Sequence, residues 1–250
     1  PLPLNTTYYW RVDEMDNSGN KVVGEVWKFS TTIPGLGAAK RELWRDITGG
    51  SVDDLLNNPA YPGSPTDVNE MPNFESPADI ADNYGGRLSA WLHVPVTGEY
   101  TFWLASDDNG RLYLGPDQDS AQQIAVVSGW TNAQEWEKFP TQMSDPIHLE
   151  AGRYYIAAIW KEGTGGDNCA AAWQGAGIPT RELIAGAHLK PFEPLWAFGP
   201  RPANGAVNVS YTPTLAWTAG IKAAKHQVYL GKDRDEVANA QPGSAVYKGE

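Results

Sequence analysis

Two adjacent carboxylates, Asp107 and Asp108, stand in the stretch GEYTFWLASDDNGRLYLG of residues 98–115. They are hard, anionic oxygen donors, and calcium is the common ion that gathers about six to eight such ligands. Two aspartates alone are too few, so further oxygens must come from elsewhere in the chain. The next acidic and amide cluster is Glu162-Gly163-Thr164-Gly165-Gly166-Asp167-Asn168, whose glycines let backbone approach a ligand closely. Both segments also have a structural reading. Asp, Asn and Gly tolerate positive φ, so Asp-Asn-Gly between apolar strands is a hairpin turn, and a Gly-rich loop is an ordinary hairpin connection.

A different chemistry attaches to Trp130 and Trp136, in the polar segment SGWTNAQEWEKFP. Exposed indoles can stack on the face of a sugar ring; buried ones pin a loop to the core. Catalytic signatures are lacking: His93, His148, His188 and His226 are scattered, and neither HExxH nor GxSxG occurs. GTGG lacks the Gly-Lys-Ser/Thr ending of a phosphate loop. The expectation is a non-enzymatic protein.

The elements that must position these residues are strands. Tyr100, Phe102 and Leu104 alternate with Thr101, Trp103 and Ala105, and Leu112 and Leu114 resume the pattern after the acidic turn. RLSAWLHV, QIAVVS, PIHLEA, RYYIAAIWKE and NCAAAWQ read the same way. Many short strands with regular turns predict a sandwich or barrel. Residues 44–84 are rich in Pro and Asn and read as loop, except for one helical turn at VDDLLNNP capped by Ser51 or Asp53.

The runs PVTGEYTFWLASDDNGRLYLG and HLEAGRYYIAAIWKEGTGGDNCAAAWQ together resemble the PA-fourteen domain family, the β-sandwich named after the N-terminal part of anthrax protective antigen. The resemblance covers about Gly37 to Phe192. It implies a calcium site in which a cis peptide joins Asp107 to Asp108, and in which a neighbouring loop, matched here by Asp167 and Asn168, adds an Asn side chain and backbone carbonyls. It also implies carbohydrate as the ligand class, with Trp130, Trp136 and Glu162 as candidate contacts, and an extracellular or cell-surface setting.

The flanks differ. NTTYYWRVDE near the start and HQVYLGKDRDEV near the end resemble a fibronectin type III-like sandwich cut in two. The expected organisation is therefore all-β: residues 1–32 as the last strands of such a sandwich, with Asp16–Asn20 as a turn; 33–192 as the PA-fourteen-like domain; and 193–250 as the first strands of the next sandwich. Each half leaves open strand edges and aromatic surface, so the halves are expected to complete one another, preferentially between copies arranged head-to-tail. The alternatives to an adhesion module are a structural repeat of an extracellular filament and an accessory domain of a secreted glycoside hydrolase.

Composition narrows the partners. A net charge of −11 argues against nucleic acid, whose phosphates require Lys and Arg. The single cysteine, Cys169, rules out an internal disulfide framework and reads as a buried thiol. No apolar run reaches membrane-spanning length. The chain opens on Pro-Leu-Pro within a strand pattern, as a window from a longer protein would.

Overall fold

Apolar residues at every second position, punctuated by Gly, Pro and Asn, form strands whose buried faces must meet. The computed structural model describes residues 7–11, 13–15, 19, 21–30, 37–193, 197–202, 207–220 and 223–250. Its described residues are predominantly β, in two compact units, residues 1–192 and 193–250.

The first unit opens with β1 (Thr7–Trp10), β2 (Glu14–Met15), β3 (Lys21–Val22) and β4 (Trp27–Ser30). β1 pairs with β4 and β2 with β3, both antiparallel. Most of the expected turn (Asp16, Asn17, Ser18 and Asn20), Val12 and the side chains of Tyr8 and Trp10 lie outside the described residues.

There follow β5 (Ala39–Trp44), α1 (Val52–Leu56), β6 (Asp67–Met71), β7 (Glu75–Ser76), β8 (Tyr84–Val94), β9 (Gly98–Asp107), β10 (Gly110–Gly115) and β11 (Gln122–Val127). β12 (Ile147–Leu149), β13 (Gly152–Glu162), β14 (Asn168–Gly175), β15 (Ile178–Leu183) and β16 (Leu189–Pro191) complete the unit. One sheet has the order β11-β10-β13-β8-β5-β6, with β16 also on β8. The other has the order β12-β9-β14-β15, with β7 also on β14.

Alternate residues of facing strands fill the space between the sheets: Leu88, Ala90 and Leu92 of β8, Ile156, Ala158 and Trp160 of β13, Phe102 and Leu104 of β9, Ala171 and Trp173 of β14. Trp160 lies across from Gly86, where a Cβ would stand 2.2 Å from the indole. The glycine thus makes room for the Trp160 indole. On the other face of the first sheet, α1 closes over Trp44, Ile47 and Ile159 through Val52 and Leu55. Ser51 caps α1 in a reciprocal box with Asp54. Beside it Arg87 is buried against Glu42, with two guanidinium bonds of 2.8 and 2.6 Å to one carboxylate oxygen. Cys169 is a free, fully buried thiol, and burial pushes its pKa up.

The loop reading of residues 44–84 needs correction, because β6 and β7 lie within it. β6 is an edge strand, hydrogen-bonded only to β5 and largely exposed, so it needs no apolar alternation to form, and the nearby prolines fall outside the ladder. β15 likewise carries too little apolar character to stand out in the sequence.

The second unit contains β17 (Phe198–Arg201) paired with β18 (Ala216–Thr218), and β19 (Val228–Tyr229) paired with β20 (Tyr247–Gly249). Between the last two lies α2 (Arg234–Ala238), absent from the sequence reading. Its cue was Asp233, whose side chain accepts from the amides of Asp235 and Glu236 as an N-cap. No described helix in either unit is long and apolar enough to cross a membrane.

Candidate metal centre

The acidic turn is not a hairpin. β9 belongs to one sheet and β10 to the other, so Asp107–Gly110 carries the chain from sheet to sheet. The Gly-rich loop does the same, since β13 ends at Glu162 in the first sheet and β14 begins at Asn168 in the second. Alternation within each strand could not reveal this, because a corner and a hairpin have the same local pattern. The ladders then fix the outcome. Asn168 is in register with Asp107, and Gly110 with Trp160, so the two corners must lie side by side at one end of the sandwich.

Backbone bonds tie the corners together. Asp108 N–H donates to the Lys161 carbonyl at 3.1 Å, and Lys161 N–H to the Asn109 carbonyl at 2.9 Å. The Ser106 hydroxyl donates to the Asp108 carbonyl at 2.8 Å, and the Asp107–Asp108 peptide is cis, as the family resemblance implied. Asp108 Oδ2 accepts from Gly163 N–H at 3.0 Å.

The result is a cluster of three carboxylates. Asp107, Asp108 and Glu162 each offer an oxygen within 4.8 Å of the others. Glu162 is fully buried, and neither of its carboxylate oxygens has a hydrogen-bond partner. Burial, and then the charges of Asp108 and Asp107, push its pKa up to about 7. Burial, and then Asp108, push Asp107 up to about 6. Two carboxyls resisting ionisation, one without any partner, leave room for a cation that would satisfy both.

The remaining sequence candidates separate. Asn168 is buried beside Asp107; its Nδ2 donates to the Thr131 carbonyl at 2.8 Å while its Oδ1 has no partner. Asp167 is buried too; its Oδ2 accepts from the Ile80 and Ala81 amides at 2.7 and 3.0 Å and so braces the segment before β8, while its Oδ1, like that of Asn168, has no partner. Burial also raises the Asp167 pKa. Glu162, initially grouped with the sugar contacts, thus sits with the paired aspartates.

A long excursion between β11 and β12 reaches the same end of the sandwich. Thr131 anchors it, donating from its N–H to the Ser106 carbonyl at 2.8 Å and accepting Ser106 N–H at 3.0 Å. Trp130, next to this anchor, is 51% exposed, with the Lys138 ammonium over its ring. Trp136 is half-buried. A cleft of about 240 Å³ adjoins Asn168, with Asn73, Glu75 and Gln134 as polar lining and Pro72 and Ala133 as apolar lining.

Residues 66–157 match the PA14 domain family model, a span that includes Asp107 and Asp108 and stops short of Glu162 and Asn168. Mouse N-acetyl-beta-glucosaminyl-glycoprotein 4-beta-N-acetylgalactosaminyltransferase 1 is 32% identical over 166 residues, 61% of this chain and 16% of that protein. Mouse Fibrocystin-L is 27% identical over 138 residues, 53% of this chain and 3% of that protein. The chain therefore spans a small part of the curated relatives it matches. Among solved structures, the PA14 sugar-binding domain from an RTX adhesin superposes with a TM-score of 0.48 at 14% identity, covering 63% of this chain and 99% of that one.

Proposed function

We propose that the protein, whose residues 66–157 match the PA14 domain model, is a non-enzymatic, extracellular module that binds carbohydrate in a calcium-dependent way, as part of a larger adhesion protein. The observation that carries this reading is the corner itself: three convergent carboxylates, with the oxygens of Glu162 and the Oδ1 of Asn168 buried and unpartnered. The clustered donors are carboxylate oxygens, with no Cys or His in the cluster, which suits calcium over zinc or copper. Asp107, Asp108, Glu162 and Asn168 would hold the ion, and calcium would supply a hard Lewis acid able to take sugar hydroxyls as ligands. Trp130 offers an exposed ring beside this corner, and the cleft at Asn168 offers polar groups for a neighbouring ring.

Calorimetry on the full chain tests the metal: binding at or below millimolar calcium is expected, and its absence, or its persistence in Asp107→Ala/Asp108→Ala, overturns the site. A glycan array read with and without calcium tests the ligand class; signal lost on Trp130→Ala with calcium affinity intact is the expected result, and silence under both conditions removes the sugar.

A second reading, a head-to-tail structural repeat, draws on the apolar side chains left open in both flanks. Tyr9, Val23 and Val26 are exposed in the first, and Val207, Tyr211 and Leu215 in the second. Concentration-dependent sedimentation toward chains of copies is its expected signature, and a monomer at all concentrations ends it.

A further inference from the structure

Lys161 is fully buried between residues that belong to the metal corner, and nothing in the proposed ligand set accounts for it. It lies two residues after Ile159 on β13, hence on the face that α1 and its leading loop cover. Its ammonium makes two short hydrogen bonds of 2.5 Å, to the carbonyls of Gly49 and Glu162. Its backbone bonds both sides of the Asp108–Asn109 corner. One residue therefore joins three separate segments: the loop before α1, the paired-aspartate corner and the start of the Gly-rich corner.

The loop before α1 matters because it forms a wall of the site. A Cβ on Gly50 would stand 3.2 Å from Asp108 Oδ2, and one on Gly163 would stand equally close. The Asp108 carboxylate thus accepts from Gly163 N–H and lies close against Gly50, where a side chain would crowd it. The position of Gly50 depends on Gly49, whose φ is +92° and whose carbonyl is bound by Lys161. Burial lowers the Lys161 pKa, while Asp54, Glu162 and Asp108 favour its charged form.

We infer that Lys161 is a positioning residue for the calcium site: it binds the Gly49 carbonyl and thereby clamps Asp108 in a ligating position. The inference rests on the calcium reading above and makes a prediction opposite in sign to simple electrostatics. A lysine beside a cation repels it, so removing the charge should tighten calcium binding if Lys161 does nothing else. If Lys161 is the clamp, removing it loosens Asp108 and weakens binding.

The test is calorimetric titration of the full chain with calcium chloride for wild type, Lys161→Met and Gly49→Ala, with thermal unfolding recorded with and without calcium. Methionine matches the length and apolar stem of lysine, and replacing a buried charge by an apolar group is often tolerated. Gly49→Ala leaves Lys161 in place but drives a Cβ to 2.2 Å from Asp54 Oδ2 in a left-handed conformation, so it displaces the Gly49 carbonyl from the other side. The expected result is at least a tenfold loss of calcium affinity in both variants, and a smaller calcium-induced rise in Tm. Unchanged or tighter binding in either folded variant overturns the inference. If Lys161→Met does not fold, Gly49→Ala decides alone. Absence of calcium binding in wild type instead overturns the metal reading, and is distinguished by that control.

Discussion

Glu162→Gln is expected to change sign with calcium. In the metal-free protein Glu162 is buried without a partner beside two other carboxylates, and its pKa is raised from an ordinary 4.5 to about 7. A carboxyl whose folded pKa is raised favours the native state while it is protonated. That contribution is complete below about pH 4.5 and is lost as pH rises toward 7. The move corresponds to about 3 kcal/mol at 1.36 kcal/mol per pKa unit. Because the corner is half-open at Asp107 and Asp108, solvent screening reduces the expected effect to about 2 kcal/mol.

Gln has nearly the shape of the protonated acid and cannot ionise. Metal-free Glu162→Gln should therefore match wild type at pH 4.5 and exceed it by about 2 kcal/mol at pH 8. Calcium needs the ionised carboxylate, and affinity follows the number of charged ligands, so the variant should bind it about a hundredfold more weakly, a difference of about 2.7 kcal/mol that exceeds the metal-free gain. In saturating calcium the order of stability then inverts, because the ion stabilises wild type more. Urea denaturation followed by tryptophan fluorescence, on metal-stripped protein at both pH values and on calcium-loaded protein at pH 8, measures every term. Equal metal-free stability at pH 8, or equal stabilisation of both proteins by calcium, refutes the reasoning.

Two further substitutions probe the scaffold. Arg87→Leu should cost about 3–5 kcal/mol in urea denaturation, because it strands the buried Glu42 carboxylate with only Lys40 as a remaining partner; a loss below 1 kcal/mol would show that the pair contributes little. Gly86→Ala places a methyl 2.2 Å from the Trp160 ring, and about 1–3 kcal/mol of destabilisation is expected, with a changed tryptophan emission; an unchanged Tm would mean that the indole moves aside freely.

Local patterns carried much of this protein. The two-residue alternation of Phe102 and Leu104, Ile156 and Ala158, or Ala171 and Trp173 fixes strands and their buried faces, because side chains of a strand necessarily point to opposite sides. Ser51, one of the two cap candidates with Asp53, announces α1 through a cap that depends on neighbours in sequence; the structure chooses Ser51 and adds Asp54 as its reciprocal partner. Asp107 and Asp108 identify themselves as hard ligands by type alone. Edge strand β6 and the short helix α2 escaped, since one ladder or one cap holds each without an apolar signature.

Tertiary structure decided the rest. Whether Asp107–Gly110 turns back on β9 or crosses to the opposite sheet depends on which strands pair, and pairing is a contact between residues tens of positions apart. That choice brings Glu162 to the aspartates, ties Asp167 to the Ile80 and Ala81 amides, and leaves Asn168 Oδ1 beside Asp107 without a donor. It also puts Lys161 beneath a loop more than a hundred residues earlier in the chain, at Gly49. Residue type states what a side chain can bind; the sheet register determines what it meets, because only the ladders set which corners lie together.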